Sequence, residues 1–142
     1  IGRATTRGIE LSAQGKICDH YLGWRGCYTW QQASDDVTGS RLVRRARHRA
    51  SLDLMSEPVK GLLLGAGMTY SGGVEDNDFS VFPSVRKELD SVVLLRAYCS
   101  YQLNDNVSLH GRVENLLDRT YLHLANFPGR GLGVIGPMRV RW

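Results

Sequence analysis

The chain has no apolar run near the roughly 20 residues that a membrane-crossing helix requires, so no helical span is expected. Proline is scarce, with 4 among 142 residues, while glycine occurs 16 times. That balance suits extended strands and tight turns better than long helices. The three cysteines, Cys18, Cys27 and Cys99, are odd in number and widely spaced. They suggest neither a disulfide framework nor a zinc site, and read as isolated thiols used as small apolar side chains. His20, His48, His110 and His123 are equally scattered, so no metal site is assigned. No Ser–His–Asp order, nucleophile elbow or phosphate-cradling loop is present. We therefore assign no catalytic or cofactor-binding residue and expect a protein that is not an enzyme. The acids Asp35, Asp36, Asp76 and Asp78 are loop carboxylates, chemically able to bind a cation but read here as simply hydrated. The net charge is +4, and Arg41, Arg44, Arg45, Arg47 and Arg49 cluster. No aromatic residue interleaves with that cluster, which argues against a nucleic-acid groove. The chain opens at Ile1 with no secretion leader and is read as a mature or excised segment.

What is present is alternation. Seven windows show a two-residue period, which is the signature of a strand with two unlike faces. They are Gly8 to Ile17, Leu22 to Ala33, His48 to Glu57, Leu62 to Ser71, Leu89 to Leu103, Val107 to Asn115, and the terminal Gly131 to Trp142. In the first, Ile9, Leu11, Ala13, Gly15 and Ile17 oppose Glu10, Ser12, Gln14 and Lys16. In the last, Leu132, Val134, Met138, Val140 and Trp142 oppose Arg139 and Arg141. Each window is close to the 9–11 residues that a tilted strand needs to cross a bilayer. Pro137 falls inside the last window, where it removes one ladder donor and is expected at a bulge.

The connections sort by length. Cys18 to Tyr21, Pro58 to Gly61 and Asn104 to Asn106 are short, while Ser34 to Arg47, Gly72 to Glu88 and Leu116 to Arg130 are long. Strict alternation of short and long places all long loops on one side, as in outer-membrane barrels. The polar face carries Glu10, Lys16, Arg96, Arg112, Glu114, Arg139 and Arg141, too many charges for a dry core. The oily face runs over all seven windows, and no segment remains to cover it. Lipid would cover it, and aromatics such as Trp24, Tyr28, Trp30, Tyr70, Tyr101 and Trp142 suit an interfacial girdle. The expected fold is all-β: an antiparallel up-and-down meander of about seven strands, part of a transmembrane β-barrel.

Several stretches carry a family resemblance. Thr6-Arg7-Gly8-Ile9-Glu10-Leu11 is similar to a strand opening with Gly and Glu two apart. Tyr28-Thr29-Trp30 through Ala33, then Gly39, Leu42 and Arg44-Arg45-Ala46-Arg47-His48, is similar to a strand, an outer loop and the next strand. Arg112-Val113-Glu114-Asn115-Leu116-Leu117-Asp118-Arg119-Thr120-Tyr121 is the most specific stretch, followed by Phe127-Pro128-Gly129-Arg130 and a strand ending in Trp142. In that order they resemble the carboxy-terminal barrel of TonB-dependent outer-membrane receptors of the cobalamin- and siderophore-receptor type, over essentially all 142 residues. The chain departs from the family in having Ala46 where Pro is common, and in placing Arg25 and Cys27 where small or polar residues are usual.

The resemblance implies residence in the bacterial outer membrane and a role in TonB-energised uptake of a scarce nutrient. Residues 1–142 would be the carboxy-terminal segment of a barrel of about 22 strands, without a plug domain. Implied partners are outer-membrane lipid, the remaining barrel and plug, TonB acting through that plug, and the barrel-assembly machinery, but not nucleic acid. By loop position, Arg41, Arg44 and Arg45 are candidate contacts for ligand or lipopolysaccharide phosphates. Met138, Val140 and Trp142 are the candidate barrel-assembly signal. Glu114, Asn115, Leu116, Asp118 and Tyr121 form the family motif, with Glu114 expected to pair with Arg96 or Arg139 across the ladder, and Asn115 and Asp118 expected to close a turn. Two other readings stay open at this level: a self-standing small outer-membrane barrel with a structural or adhesive role, and a soluble basic β-domain that binds polyanions.

Overall fold

The architecture, a computed structural model that describes residues 2–17 and 22–141, is one open antiparallel sheet with two small hairpins at one end. The strands are β1 (Ala4–Ile17), β2 (Leu22–Asp35), β3 (His48–Val59), β4 (Leu62–Ser71), β5 (Val74–Asp78), β6 (Val85–Leu89), β7 (Val92–Gln102), β8 (Val107–Glu114), β9 (Leu122–Leu124), β10 (Phe127–Pro128), β11 (Gly133–Ile135) and β12 (Met138–Val140). The sheet order is β1-β2-β3-β4-β7-β8-β11, with β12 also on β8. The hairpins β5–β6 and β9–β10 form separate two-stranded sheets within the long connections. Ile1, Trp142 and the expected short turn at Cys18 to Tyr21 lie outside the described residues.

Register turns the alternation into a surface. Ile9 stands opposite Trp30, Trp30 opposite His48, and Tyr28 opposite both Leu11 and Ala50. Leu54 faces Ala66, Ala66 faces Ala97, Ala97 faces Val113, and Val113 faces Val134. A single oily face thus crosses the sheet, because one slipped residue would exchange the two faces. The polar side chains share the opposite face. Arg25 and Cys27 do not break β2; they sit on that polar face, opposite Asp53 and Ser51.

Nothing among the described residues covers the oily face. Among the described residues, the buried apolar side chains are Ala33, Ala46, Leu89 and Ala125, none of them on it. Ile9 is 58% exposed and Leu11 61% exposed. The accessible surface is 10565 Å², against roughly 7,300 Å² for a globular monomer of this mass. That excess of total surface, together with the bare side chains of Ile9 and Leu11 on the oily face, marks a surface meant for another phase.

Three expectations need correction. The first window begins four residues earlier than expected, at Ala4. The fifth begins at Val92, because Leu89 belongs to β6, where its side chain is buried. The bulge expected at Pro137 is absent. Ile135 pairs with Arg112 and Met138 with Leu109, so no residue is inserted between them. The Pro137 carbonyl accepts the His110 N–H at 3.0 Å, and only the donor that proline lacks is lost. A slip by one residue does occur elsewhere, beside Pro58, between the Ser56–Leu64 and Val59–Leu62 pairs.

Candidate functional site: interlocked outer loops above a charged wall

The three long connections meet at one carboxylate. Asp76 of β5 is only 1% exposed. Its Oδ1 accepts from Arg44 Nε at 2.8 Å and from the Asn77 N–H at 2.9 Å, while Oδ2 accepts the Ala125 N–H at 2.9 Å. Arg44 comes from the β2–β3 loop and Ala125 from the β8–β11 loop, so this one side chain ties all three. Arg44 reaches it with a φ of +60°, and its N–H donates to the Glu75 carbonyl at 2.7 Å. Burial opposes ionisation of Asp76. The bonds from the Ala125 N–H, the Arg44 guanidinium and the Asn77 N–H outweigh it and hold the carboxyl below its ordinary value.

Neighbouring contacts reinforce the junction. Arg41 pairs with Glu75 at 3.2 Å, and Arg86 of β6 bonds both Glu75 and the Arg41 carbonyl. Asn126 donates to Asp78 at 2.6 Å. Hydrogen bonds from the Ser80 side chain and N–H, with that from Asn126, place the Asp78 carboxyl below its ordinary value. Asp35 caps the start of the first loop by accepting the Val37 and Thr38 N–H groups, and Asp36 accepts from Thr5 at 3.0 Å. These acids are structural partners, not hydrated loop carboxylates. Of the arginines singled out above, Arg41 and Arg44 are tied to Glu75 and Asp76, whereas Arg45 is exposed and has no ion pair among the described residues.

The motif after β8 closes the third loop. Asn115, only 4% exposed and with a φ of +49°, accepts the Arg119 N–H at 2.9 Å and donates to the Arg119 and Arg130 carbonyls. Asp118, at a φ of +46°, accepts the Leu132 N–H at 2.8 Å. Asparagine and aspartate tolerate this left-handed backbone and bond locally to it. Leu116 is exposed. The Tyr121 carbonyl accepts the Gly129 N–H at 2.8 Å, across the loop's own base.

Below the loops, the polar face is a charged wall with a recess of about 1070 Å³ lined by Arg25, Asp53, Arg96, Arg112, Glu114 and Arg139 among others. Its pairing differs from expectation. Glu114 bonds Arg112, two residues away on the same strand, at 3.0 Å, not Arg96 or Arg139. Arg96 instead reaches Asp53, two strands away. Gly67 explains this, since it lies between them in register. A Cβ at that position would stand 2.6 Å from both Arg96 Nε and Asp53 Oδ1. In the same way the Tyr98 ring occupies the space where a Gly65 side chain would stand. Sequence reading missed this use of glycine, although the Gly65-Ala66-Gly67 alternation opposite Tyr98 and Arg96 was its visible trace.

A family profile described as TonB dependent receptor-like, beta-barrel, matches residues 1–116. The chain is 27% identical over 130 residues to the vitamin B12 transporter BtuB of Vibrio cholerae, covering 90% of the chain and 20% of that protein. It is 28% identical over 140 residues to the ferrioxamine B receptor of Salmonella typhimurium, covering 89% and 19%. Among solved structures, the ferric enterobactin receptor of Pseudomonas aeruginosa superposes with a TM-score of 0.83 at 21% identity, covering 96% of the chain and 22% of that structure. The pyoverdine outer-membrane receptor of the same organism gives 0.79 at 19% identity, covering 98% and 22%. The chain thus spans about a fifth of the length of the curated relatives it matches. An open antiparallel sheet, bare on its oily side and charged on the other, is what a piece of such a barrel wall must look like, and the profile match covers most of it: this chain belongs to the TonB-dependent receptor β-barrel family, whose members are bacterial outer-membrane proteins.

Proposed function

We propose that this chain forms the carboxy-terminal part of a receptor barrel, supplying wall strands and three outer loops for TonB-energised uptake of a scarce nutrient such as cobalamin or a siderophore. The observation that carries this reading is the oily face, continuous in register from Ile9 to Val134 and without cover from any of the described residues. In this reading lipid covers that face. The remaining barrel strands pair with the two open edges, β1 and β11–β12. A plug domain fills the lumen beside the charged wall, and TonB acts through that plug. The loops tied at Asp76 form part of the outer mouth, with Arg45 available to ligand or to lipopolysaccharide phosphates.

The test is uptake. Cells that rely on the full-length protein are given radiolabelled cobalamin or iron-loaded ferrioxamine B, with and without TonB. Accumulation of one of them should disappear in the TonB-deficient strain. Accumulation that is indifferent to TonB contradicts the proposal.

Met138 and Val140 lie on the oily face, opposite Leu109 and Val107, while Trp142 falls outside the described residues. We carry Met138, Val140 and Trp142 forward as the signal read by the barrel-assembly machinery. The double substitution Met138→Ser, Val140→Ser in the full-length protein should lower the amount of inserted barrel several-fold. The fraction that does insert should bind ligand normally. Unchanged insertion would remove these residues from that role.

A further inference from the structure

A second recess, of about 560 Å³, lies between the polar face and the third loop. Its floor includes Thr29, Arg49, Ser51, Thr69 and Ser71, and its roof includes His123 of β9. The roof is held in place, because the adjoining Ala125 N–H is bonded to Asp76.

Arg49 is the unusual member. It stands in register between Thr29 and Ser71, and no carboxylate pairs with it among the described residues. The comparison with Arg96 explains why. Arg96 reaches an acid two strands away because Gly67 leaves the intervening position empty. Glu10 occupies the equivalent place for Arg49, but Thr29 stands between them. Arg49, an exposed residue, therefore keeps its forked set of donors and shares the recess lining with the hydroxyl residues Thr29, Ser51, Thr69 and Ser71 and with His123. Arg44, also in the lining, is held by Asp76. Asp90 is the one carboxylate among the lining residues, and it makes no ion pair with Arg49. A planar, unpaired guanidinium among hydroxyl donors suits a carboxylate or phosphate group.

We propose that this recess binds an oxyanion borne by the transported ligand, with Arg49 as its charged contact and Thr29, Ser71 and His123 as flanking donors. The proposal rests on the receptor reading given above and names the class of ligand that this part of the mouth selects.

The experiment uses the purified full-length receptor in detergent, without TonB, and measures binding of citrate and of inorganic phosphate separately by calorimetry. Wild-type protein should bind at least one at concentrations up to about 10 mM, where even a weak site is visible. Citrate alone points to a carboxylate ligand, and phosphate alone to a phosphorylated one. Arg49→Gln should weaken binding about tenfold or more, and Arg49→Lys by less, since the charge remains and the fork is lost. Asp90→Asn should tighten binding by about threefold, through removal of a like charge. Arg47→Gln, a change at an exposed arginine that does not line the recess, should leave it unaltered. Wild-type protein that binds neither anion overturns the proposal, and so does Arg49→Gln binding as tightly as wild type. Equal losses in Arg49→Gln and Arg47→Gln also overturn it, because they indicate diffuse attraction. Heat-resistant migration of each variant confirms a folded barrel. If anion binding fails while TonB-dependent uptake persists, only this inference falls; if uptake ignores TonB, the receptor reading falls whatever the anions do.

Discussion

Replacing Asp76 by alanine is expected to release the three outer loops from one another while leaving the wall intact. The change strands the Ala125 and Asn77 N–H groups and frees Arg44 from its anchor. Each buried donor left without a partner costs about 1–3 kcal/mol, though water entering the opened junction limits the total to roughly 2–4 kcal/mol. Amide exchange at Ala125 and Asn77 in the full-length barrel should accelerate by roughly 30- to 1,000-fold. Exchange within β3, β4 and β7 should not change. Acid should act in the same direction on the wild-type protein. The folded Asp76 carboxyl titrates below its ordinary value of 3.8, so its contribution is complete above that pH and fades as pH falls through the depressed folded value. Loop amides whose exchange is unmoved by Asp76→Ala would show that the junction is held by something else.

The second large effect tests which side meets hydrocarbon. Leu63 and Leu64 are consecutive on β4, and both are part-exposed, 38% and 43%. Leu64 shares the oily face with Cys99 and Ser56, whereas Leu63 shares the polar face with Ser100. The same substitution at each should therefore give unlike results. Leu64→Arg should destabilise folding into lipid by about 1–2 kcal/mol, less than the cost at mid-bilayer because Leu64 is the third residue of β4. Leu63→Arg should cost well under about 1 kcal/mol, because its charge stays in a wet lumen. Denaturant titrations of the full-length barrel in bilayers compare the two directly. Equal penalties, or a larger one at Leu63, would mean that the faces are assigned the wrong way round.

The wall was legible from sequence because its rule is local. A two-residue period survives translation into a strand, and neighbouring strands inherit one another's parity through hairpins. Leu62–Ser71 matches its window at both ends for that reason. The loops were not legible, because their partners are distant. Asp76 meets residues 32 and 49 positions away, and nothing near it in the chain announces that it will be enclosed. The hairpins β5–β6 and β9–β10 were hidden for the same reason: they are too short to show a period. The partner of Glu114 was misjudged because cross-strand proximity alone was considered. A glycine two strands away had already given Arg96 a different acid.

Pro137 carries a last consequence. Backbone groups along an antiparallel strand point alternately left and right, and the Pro137 carbonyl points toward His110, as the Arg141 N–H points toward Asn106. The absent donor is thus turned toward a neighbour already in place. Gly136, Met138 and Val140 point the other way, each with its N–H available. An incoming strand would therefore find an unbroken ladder to zip against along this edge. The same ring moved by a single residue would leave that edge with a permanent missing rung.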